Sequence, residues 1–270
     1  GGQGDLIMVK ANHAEAIIAA GGWTFVAGGV GASGTHNNTR IYGLGDGASR
    51  PTITFSTAVG ASVLIQAPGV MIENIIGVAG LDSLTNPFHV QAAGVSLSIE
   101  WQDPTSLIEA VRAVLTTAAA DKLRIALRYM GQTGGDACVN AIRLVGVDEA
   151  LIDVDFFGKA STSIVEFVTT ACSGIRVRGD FYNSGTVSGA KNIVDTVGGS
   201  TWWADIVDGA QGAKAFGSSA VGATFATPAT TRRLALKAIT NAAASLTTGA
   251  SPVTLFTVTG DVVARVWATV

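Results

Sequence analysis

The sequence predicts an all-β chain wound as a right-handed parallel β-helix, with short capping or inserted helices and a C-terminal helix plus β-hairpin module. Three observations carry that prediction. Residues 63–75 (VLIQAPGVMIENI) match residues 88–100 (FHVQAAGVSLSIE) at a shift of 25, which sets Ile65 on Val90, Gln66 on Gln91, Gly69 on Gly94 and Ile72 on Leu97. Similar units begin at Leu115, Leu144, Phe167 and Val194, so successive starts lie 25, 25, 29, 23 and 27 residues apart. Each unit reads as a strand, a turn of small or polar residues and a second strand. IDVDF (152–156) and IRVRG (175–179) alternate apolar and polar residues, as a strand with one buried face does.

A repeat of this length points to a solenoid, because one unit cannot bury its apolar face alone. The variable spacing fits parallel coils about 4.8 Å apart, with turns of different length projecting outward, better than it fits paired helices. Upstream, Ile41 lies 24 residues before Ile65 and reads as its equivalent, with PTITF (51–55) displaced by an insertion.

Taken in order, residues 1–30 read as an N-terminal cap. Asn12 opens a short helix carrying Ile17 and Ile18, Gly21-Gly22 ends it, and Trp23 to Val26 begins the first strand. Residues 31–209 give six or seven coils. Within them DPTSLIEAVRAV (103–114) predicts an inserted helix, with Asp103 as N-cap, Pro104 at its first position, and Leu107, Ile108, Val111 and Val114 at helical spacing. Residues 210–231, rich in Gly, Ala, Ser and Thr, read as a linker. Residues 232–270 give a helix (Arg232 to Leu246) and an alternating hairpin around Gly260-Asp261 that exposes Phe256 and Trp267. A lone hairpin is not stable in water, so this module is expected to trimerise. Its strand-like run reads as cut short at Val270.

Composition narrows the function. Lys and Arg number 17 against 20 Asp and Glu, a net charge of −3, so no basic face for nucleic acid is expected. Apolar runs are broken well short of the roughly 18 to 20 residues that span a bilayer, so no membrane partner is expected either. Only 14% of residues are charged, which fits a surface covered in an oligomer. The start GGQGDLIMVK has neither a secretory pattern nor an initiator Met, which points to processing or trimming. Cys138 and Cys172 match no metal spacing and read as free, buried thiols; no cofactor or metal is expected.

Asp153 and Asp155 are the candidates for catalysis, on one strand face about 6 to 7 Å apart. Polysaccharide hydrolysis asks for two carboxylates roughly 5 to 9.5 Å apart. Aligning Ile125, Ile152 and Ile175, however, stacks Arg128, Asp155 and Arg178 in a ladder, with Arg176 over Asp153. Flanking arginines keep a carboxylate ionised, which suits surface or inter-subunit ion pairs and hinders a general acid. Glu73 and Glu100 align only after a two-residue offset and are expected to face solvent. A Ca²⁺-dependent lyase would need clustered carboxylates; Asp148, Glu149, Asp153 and Asp155 come nearest, with two of them in a turn. His13, His36 and His89 are far apart, and His89 reads as a hydrogen-bonded structural residue. GLGDG (43–47) and GGVGASG (28–34) lack the Lys-Ser/Thr of a phosphate loop and read as turns. Alternation turns one of Trp202 and Trp203 inward, leaving the other as a sugar platform.

AEAIIAAGGWTFVAGG (14–29), the coils and TLFTVTGDVVARVWATV (254–270) together resemble the right-handed β-helix proteins of tailed bacteriophages, found as tail spikes and as capsid-decorating trimers. The first two-thirds of the chain carries the β-helix likeness, and the C-terminal strands resemble modules at the ends of phage virion proteins. The resemblance implies a non-enzymatic homotrimer on the particle exterior, a cement protein that contacts the major capsid protein or other virion proteins. Its alternative is a tail spike or fibre that binds, or binds and cleaves, host surface polysaccharide. A free-standing polysaccharide lyase comes third.

Overall fold

The computed structural model describes residues 4–27, 36–132, 137–184, 191–208 and 217–218. All of them belong to the first of two backbone units, Gly1–Ala226. The linker apart from Gly217–Ser218, the C-terminal helix, the hairpin with Phe256 and Trp267, and the whole of GGVGASG lie outside the described residues.

Among the described residues, eighteen strands wind into a parallel β-solenoid of about six turns. The first five are β1 (Leu6–Val9), β2 (Ala14–Ile17), β3 (Trp23–Phe25), β4 (Arg40–Gly43) and β5 (Thr52–Phe55). There follow β6 (Val63–Ile65), β7 (Met71–Ala79), β8 (Phe88–Val90), β9 (Ser96–Gln102), β10 (Val114–Thr116) and β11 (Arg124–Met130). The series ends with β12 (Ile142–Val145), β13 (Leu151–Gly158), β14 (Ser163–Val168), β15 (Ile175–Asn183), β16 (Lys191–Asp195), β17 (Trp202–Asp208) and β18 (Gly217–Ser218). One sheet runs β1-β4-β7-β9-β11-β13-β15-β17, with β2 and β5 attached through β7; the other runs β3-β6-β8-β10-β12-β14-β16-β18. From β5 onward, strands consecutive in the chain alternate between sheets, and hydrogen-bonded neighbours come from adjacent coils.

The core lies between the two sheets. Ile41, Ile72, Leu97, Ile125, Ile152 and Val177 are cross-strand partners in succession and nearly inaccessible to solvent. Beside them Trp101, Tyr129, Phe156 and Phe181 form an aromatic column, also buried. Outside, the amide of Gln66 donates to Gln91 at 3.0 Å, the side-chain stack that the repeat predicts. Gly69 and Gly94, equivalent corner residues, both turn the chain at φ +71°.

The register corrects several alignments. Thr116, not Leu115, lies over Val90, and Asp195, not Val194, lies over Phe167. Both polar residues are buried in the apolar column and hydrogen-bonded: the Thr116 hydroxyl accepts from Val145 N at 3.0 Å, and Asp195 accepts from Val197, Gly198 and Ser200. Ile41 belongs to the other sheet, opposite Ile72, and the equivalent of Ile65 is Phe25.

Neither of the two helices predicted within the described residues forms, and no helix of seven or more residues occurs among them. Asn12 is a turn residue at φ +59°, and Ala14–Ile17 is strand β2, templated by β5. Between Asp103 and Val114 the chain makes an irregular excursion. Its backbone groups bond neighbouring coils, with Val111 N donating to Leu84 O at 2.7 Å and Val139 N to Val111 O at 2.9 Å. The Asp103 carboxyl is taken up by partners in the core and only Ala110 N, seven residues on, reaches it within the excursion. Helical spacing is a local signal; here partners about one coil away in sequence outbid it.

The predicted insertion after Ile41 is present and splits a strand. β7 pairs with β4 through its first residues and with β5 through its last, and the register shifts between Glu73 and Ile75. Asn74, at φ +59°, donates from Nδ2 to the carbonyls of Gly43 (2.7 Å) and Gly45 (2.9 Å), which seals the break. The 3₁₀ turn Gly47–Ser49 stands in the gap and leads to Arg50.

Candidate functional site

Side chains on the outer face of the longer sheet fall into columns one strand apart. One column runs Ile76, Glu100, Arg128 and Asp155; the next runs Glu73, Ser98, Ala126, Asp153 and Arg178. A third carries Gln102, Met130, Phe157 and Tyr182. Between the first two columns and the inserted loop lies a recess of about 620 Å³, whose walls include Arg40, Arg50, Glu73, Glu100, Arg128 and Asp155. A second recess of about 360 Å³ also touches Arg128 and Asp155 and continues to Phe157, Asp180 and Tyr182. The two adjoin, giving a trough that crosses successive coils.

Three of its carboxylates, Glu73, Glu100 and Asp153, are neutralised between coils. Arg40 Nη2 meets Glu73 Oε2 at 2.5 Å, and Arg178 Nη2 meets Asp153 Oδ2 at 2.7 Å. Glu100 is the most enclosed, with its side chain only 7% exposed: Arg50 Nη2 is 2.7 Å away, Arg128 Nη1 3.4 Å, and Gln102 donates from the side. Burial pushes the Glu100 carboxyl up, but the hydrogen bonds from Arg50 and Gln102 and the two guanidinium charges prevail and leave it below its ordinary value. Glu100→Gln is expected to lower the unfolding free energy by about 1–2 kcal/mol, because Arg50 loses its counter-charge in a half-closed site. Urea unfolding of the two proteins at pH 7 measures it; equal midpoints would show the pair to be energetically idle.

The predicted ladder is only partly realised. Arg128 and Asp155 are in register, yet Arg128 turns to Glu100. Arg178 pairs with Asp153, not Asp155, because Val177 and not Ile175 is opposite Ile152. Arg176 is opposite Leu151 and lays its guanidinium over Trp203, 4.1 Å from the ring centroid. Trp202 packs inward on Phe167 at 5.7 Å between centroids, so Trp203 is the outer indole, already covered by Arg176 on one face. Glu100 faces Arg50 in a closed site and not solvent. His89 is held by the Gln91 amide at 3.1 Å, the structural place expected of it. Both cysteines are free and buried. No cluster of three or more metal-ligating side chains occurs among the described residues.

Three features escaped the sequence reading. Arg50 reaches Glu100 from the inserted loop, across 50 positions, and no local pattern marks it. The Phe157–Tyr182 pair did leave a signal: Asp155-Phe156-Phe157 recurs as Asp180-Phe181-Tyr182, again at a shift of 25. The third is Asp103, 2% exposed, which accepts from Trp101 Nε1 at 2.9 Å, from Ala110 N at 3.2 Å and from the Tyr129 hydroxyl. Burial raises its carboxyl from 3.8 to about 6 in spite of those three donors. The same enclosure makes the Tyr129 hydroxyl and the Cys138 thiol weaker acids. Comparison with protein-family models, with curated proteins and with solved structures finds no match for the chain.

Proposed function

We propose that the chain is a non-enzymatic structural protein of a tailed-phage virion, a right-handed β-helix that assembles as a homotrimer and decorates the capsid exterior, stabilising the shell through the major capsid protein or its neighbours. The observation that carries this reading is the interlocking of outer charges between coils. A glycosidase needs a carboxylic acid that still holds its proton, beside a carboxylate across an open groove. In the trough, Glu73, Glu100 and Asp153 are each fastened to arginine, and Glu100 is shifted toward ionisation. Asp103, whose carboxyl is shifted the other way, is shut in the core against Trp101 and Tyr129. Such ties stiffen a solenoid and leave none of these three carboxylates free to serve as a general acid. Right-handed winding follows the usual hand of parallel strand crossovers, and the trimer clasp is assigned to the C-terminal module with Phe256 and Trp267.

Cryo-electron microscopy of the intact particle tests this reading. Density for a trimer on the outer capsid surface is the expected result, and density confined to the tail tip overturns it. The second reading, a tail spike or fibre that holds host surface polysaccharide, is favoured by the trough, which extends across successive coils and so suits a linear polymer. Turnover of host glycan that disappears in Asp153→Asn or Asp155→Asn would replace the structural reading with an enzymatic one.

A further inference from the structure

The end of the trough around Phe157 and Tyr182 differs from the rest. These two side chains are 42% and 43% exposed, and their rings stack 5.1 Å apart at an interplanar angle of 12°. Each spends one face on the other, so the pair presents its shared rim of ring edges as an apolar wall. Beside the wall lie Asp155 and Asp180, both exposed and both lining the 360 Å³ recess. The register Asp153↔Arg178 and Phe156↔Phe181 carries Asp155 to the level of Asp180, about one strand spacing (roughly 4.8 Å) away. Neither carboxylate has an ion-pair partner among the described residues, in contrast with Glu73, Glu100 and Asp153 on the same face. The guanidinium of Arg128, the nearest cation by register, is committed to Glu100.

We propose that this recess is a docking site for an arginine or lysine side chain of a partner protein segment, its aliphatic stem along Phe157 and Tyr182 and its charged head on Asp155 and Asp180. Chemistry fixes the ligand class. Two adjacent unneutralised carboxylates call for a cation, and guanidinium matches carboxylate oxygens with paired donors. A wall of ring edges favours a methylene stem over a sugar ring, which stacks on an open aromatic face. The chain already makes the charged half of this contact on the same sheet face, where Arg178 grips Asp153 at 2.7 Å. The proposal goes beyond the virion reading and does not depend on it.

Isothermal titration of the full chain with a tetra-arginine peptide, its citrulline counterpart, a malto-oligosaccharide and a chitosan oligomer tests the site. Asp155 and Asp180 are exposed, so the double variant Asp155→Asn/Asp180→Asn keeps the fold, as circular dichroism would verify. Glu15→Gln/Asp82→Asn, also exposed, removes the same charge elsewhere. The expected result is arginine-peptide binding that weakens at least tenfold in Asp155→Asn/Asp180→Asn, persists in the charge-matched control, weakens with salt and is absent for citrulline. Equal binding by the two double variants, or no arginine-peptide binding at all, overturns the proposal. So does oligosaccharide binding that depends on Asp155 and Asp180 while the peptide is ignored.

Discussion

Gly179→Ala is expected to lower the unfolding free energy by about 3 kcal/mol or more, enough to prevent folding in a marginal background. Gly179 lies in β15 at φ +132°, a conformation that side chains of L-residues rarely adopt. A methyl group there would overlap the carbonyl oxygen of Val154 and crowd the carbonyl carbon and nitrogen of the same residue. Those are backbone atoms of β13, which is hydrogen-bonded between β11 and β15 and cannot retreat without breaking ladders on both sides. Backbone strain and steric overlap therefore add. Gly199 is the control: it also has positive φ, at +84°, but a methyl group would meet nothing within 4 Å. Gly199→Ala should cost only about 1 kcal/mol, the left-handed penalty alone. Urea unfolding at one protomer concentration compares them. Equal losses in the two variants would mean that close approach of the coils contributes nothing at Gly179.

Asp103 is expected to make the protein more stable in mild acid than its Asp103→Asn variant, by a margin that shrinks by about 2–3 kcal/mol between pH 4 and pH 7. The sign follows from burial, which lifts the carboxyl to about 6 from its ordinary 3.8, so the native state holds the proton more tightly than the unfolded chain. The stabilisation is complete below pH 3.8 and is lost as pH rises through about 6. The groups facing Asp103 do not compensate. Tyr129 and Cys138 stay protonated throughout, both driven upward by burial, and Trp101 is neutral. Glu109 is buried nearby and its charge acts on the same Cys138, so it adds to the negative field. Unfolding free energies of both proteins at pH 4, 5, 6 and 7 give the difference, in which other titrations cancel. Parallel profiles would show that Asp103 keeps an ordinary acidity.

The sequence yields the coil and its in–out alternation but not the register. Alternation has a period of two, so a slip of two residues leaves every side chain on its proper face. That is why matching Ile175 to Ile152 looks sound, although the structure matches Val177, and why the arginine ladder moves from Asp155 to Asp153. One-residue errors have another cause. Thr116 and Asp195 are polar members of the apolar column, so aligning hydrophobic residues selects Leu115 and Val194, which face outward. The helices fail because capping and helical spacing describe a segment in isolation. Ala14–Ile17 and the Asp103 excursion find their hydrogen-bond partners in other coils. Of the trough, Asp153, Asp155 and Arg128 were legible, since they lie on clearly alternating strands. Arg50 was not, because its place depends on where an irregular loop returns to the sheet.

That returning loop has a consequence for how such a surface changes over generations. Because β7 alone spans the break between β4 and β5, and Asn74 closes it on Gly43 and Gly45, a change of length between Gly45 and Ser49 is expected to leave the pairing of β7 with β9 in place. Arg50 shows the reach of this port: one side chain from the loop sets the charge balance at Glu100, in the second strand over. A solenoid of this kind can exchange its outward chemistry by grafting at a split strand while its interior is inherited unchanged.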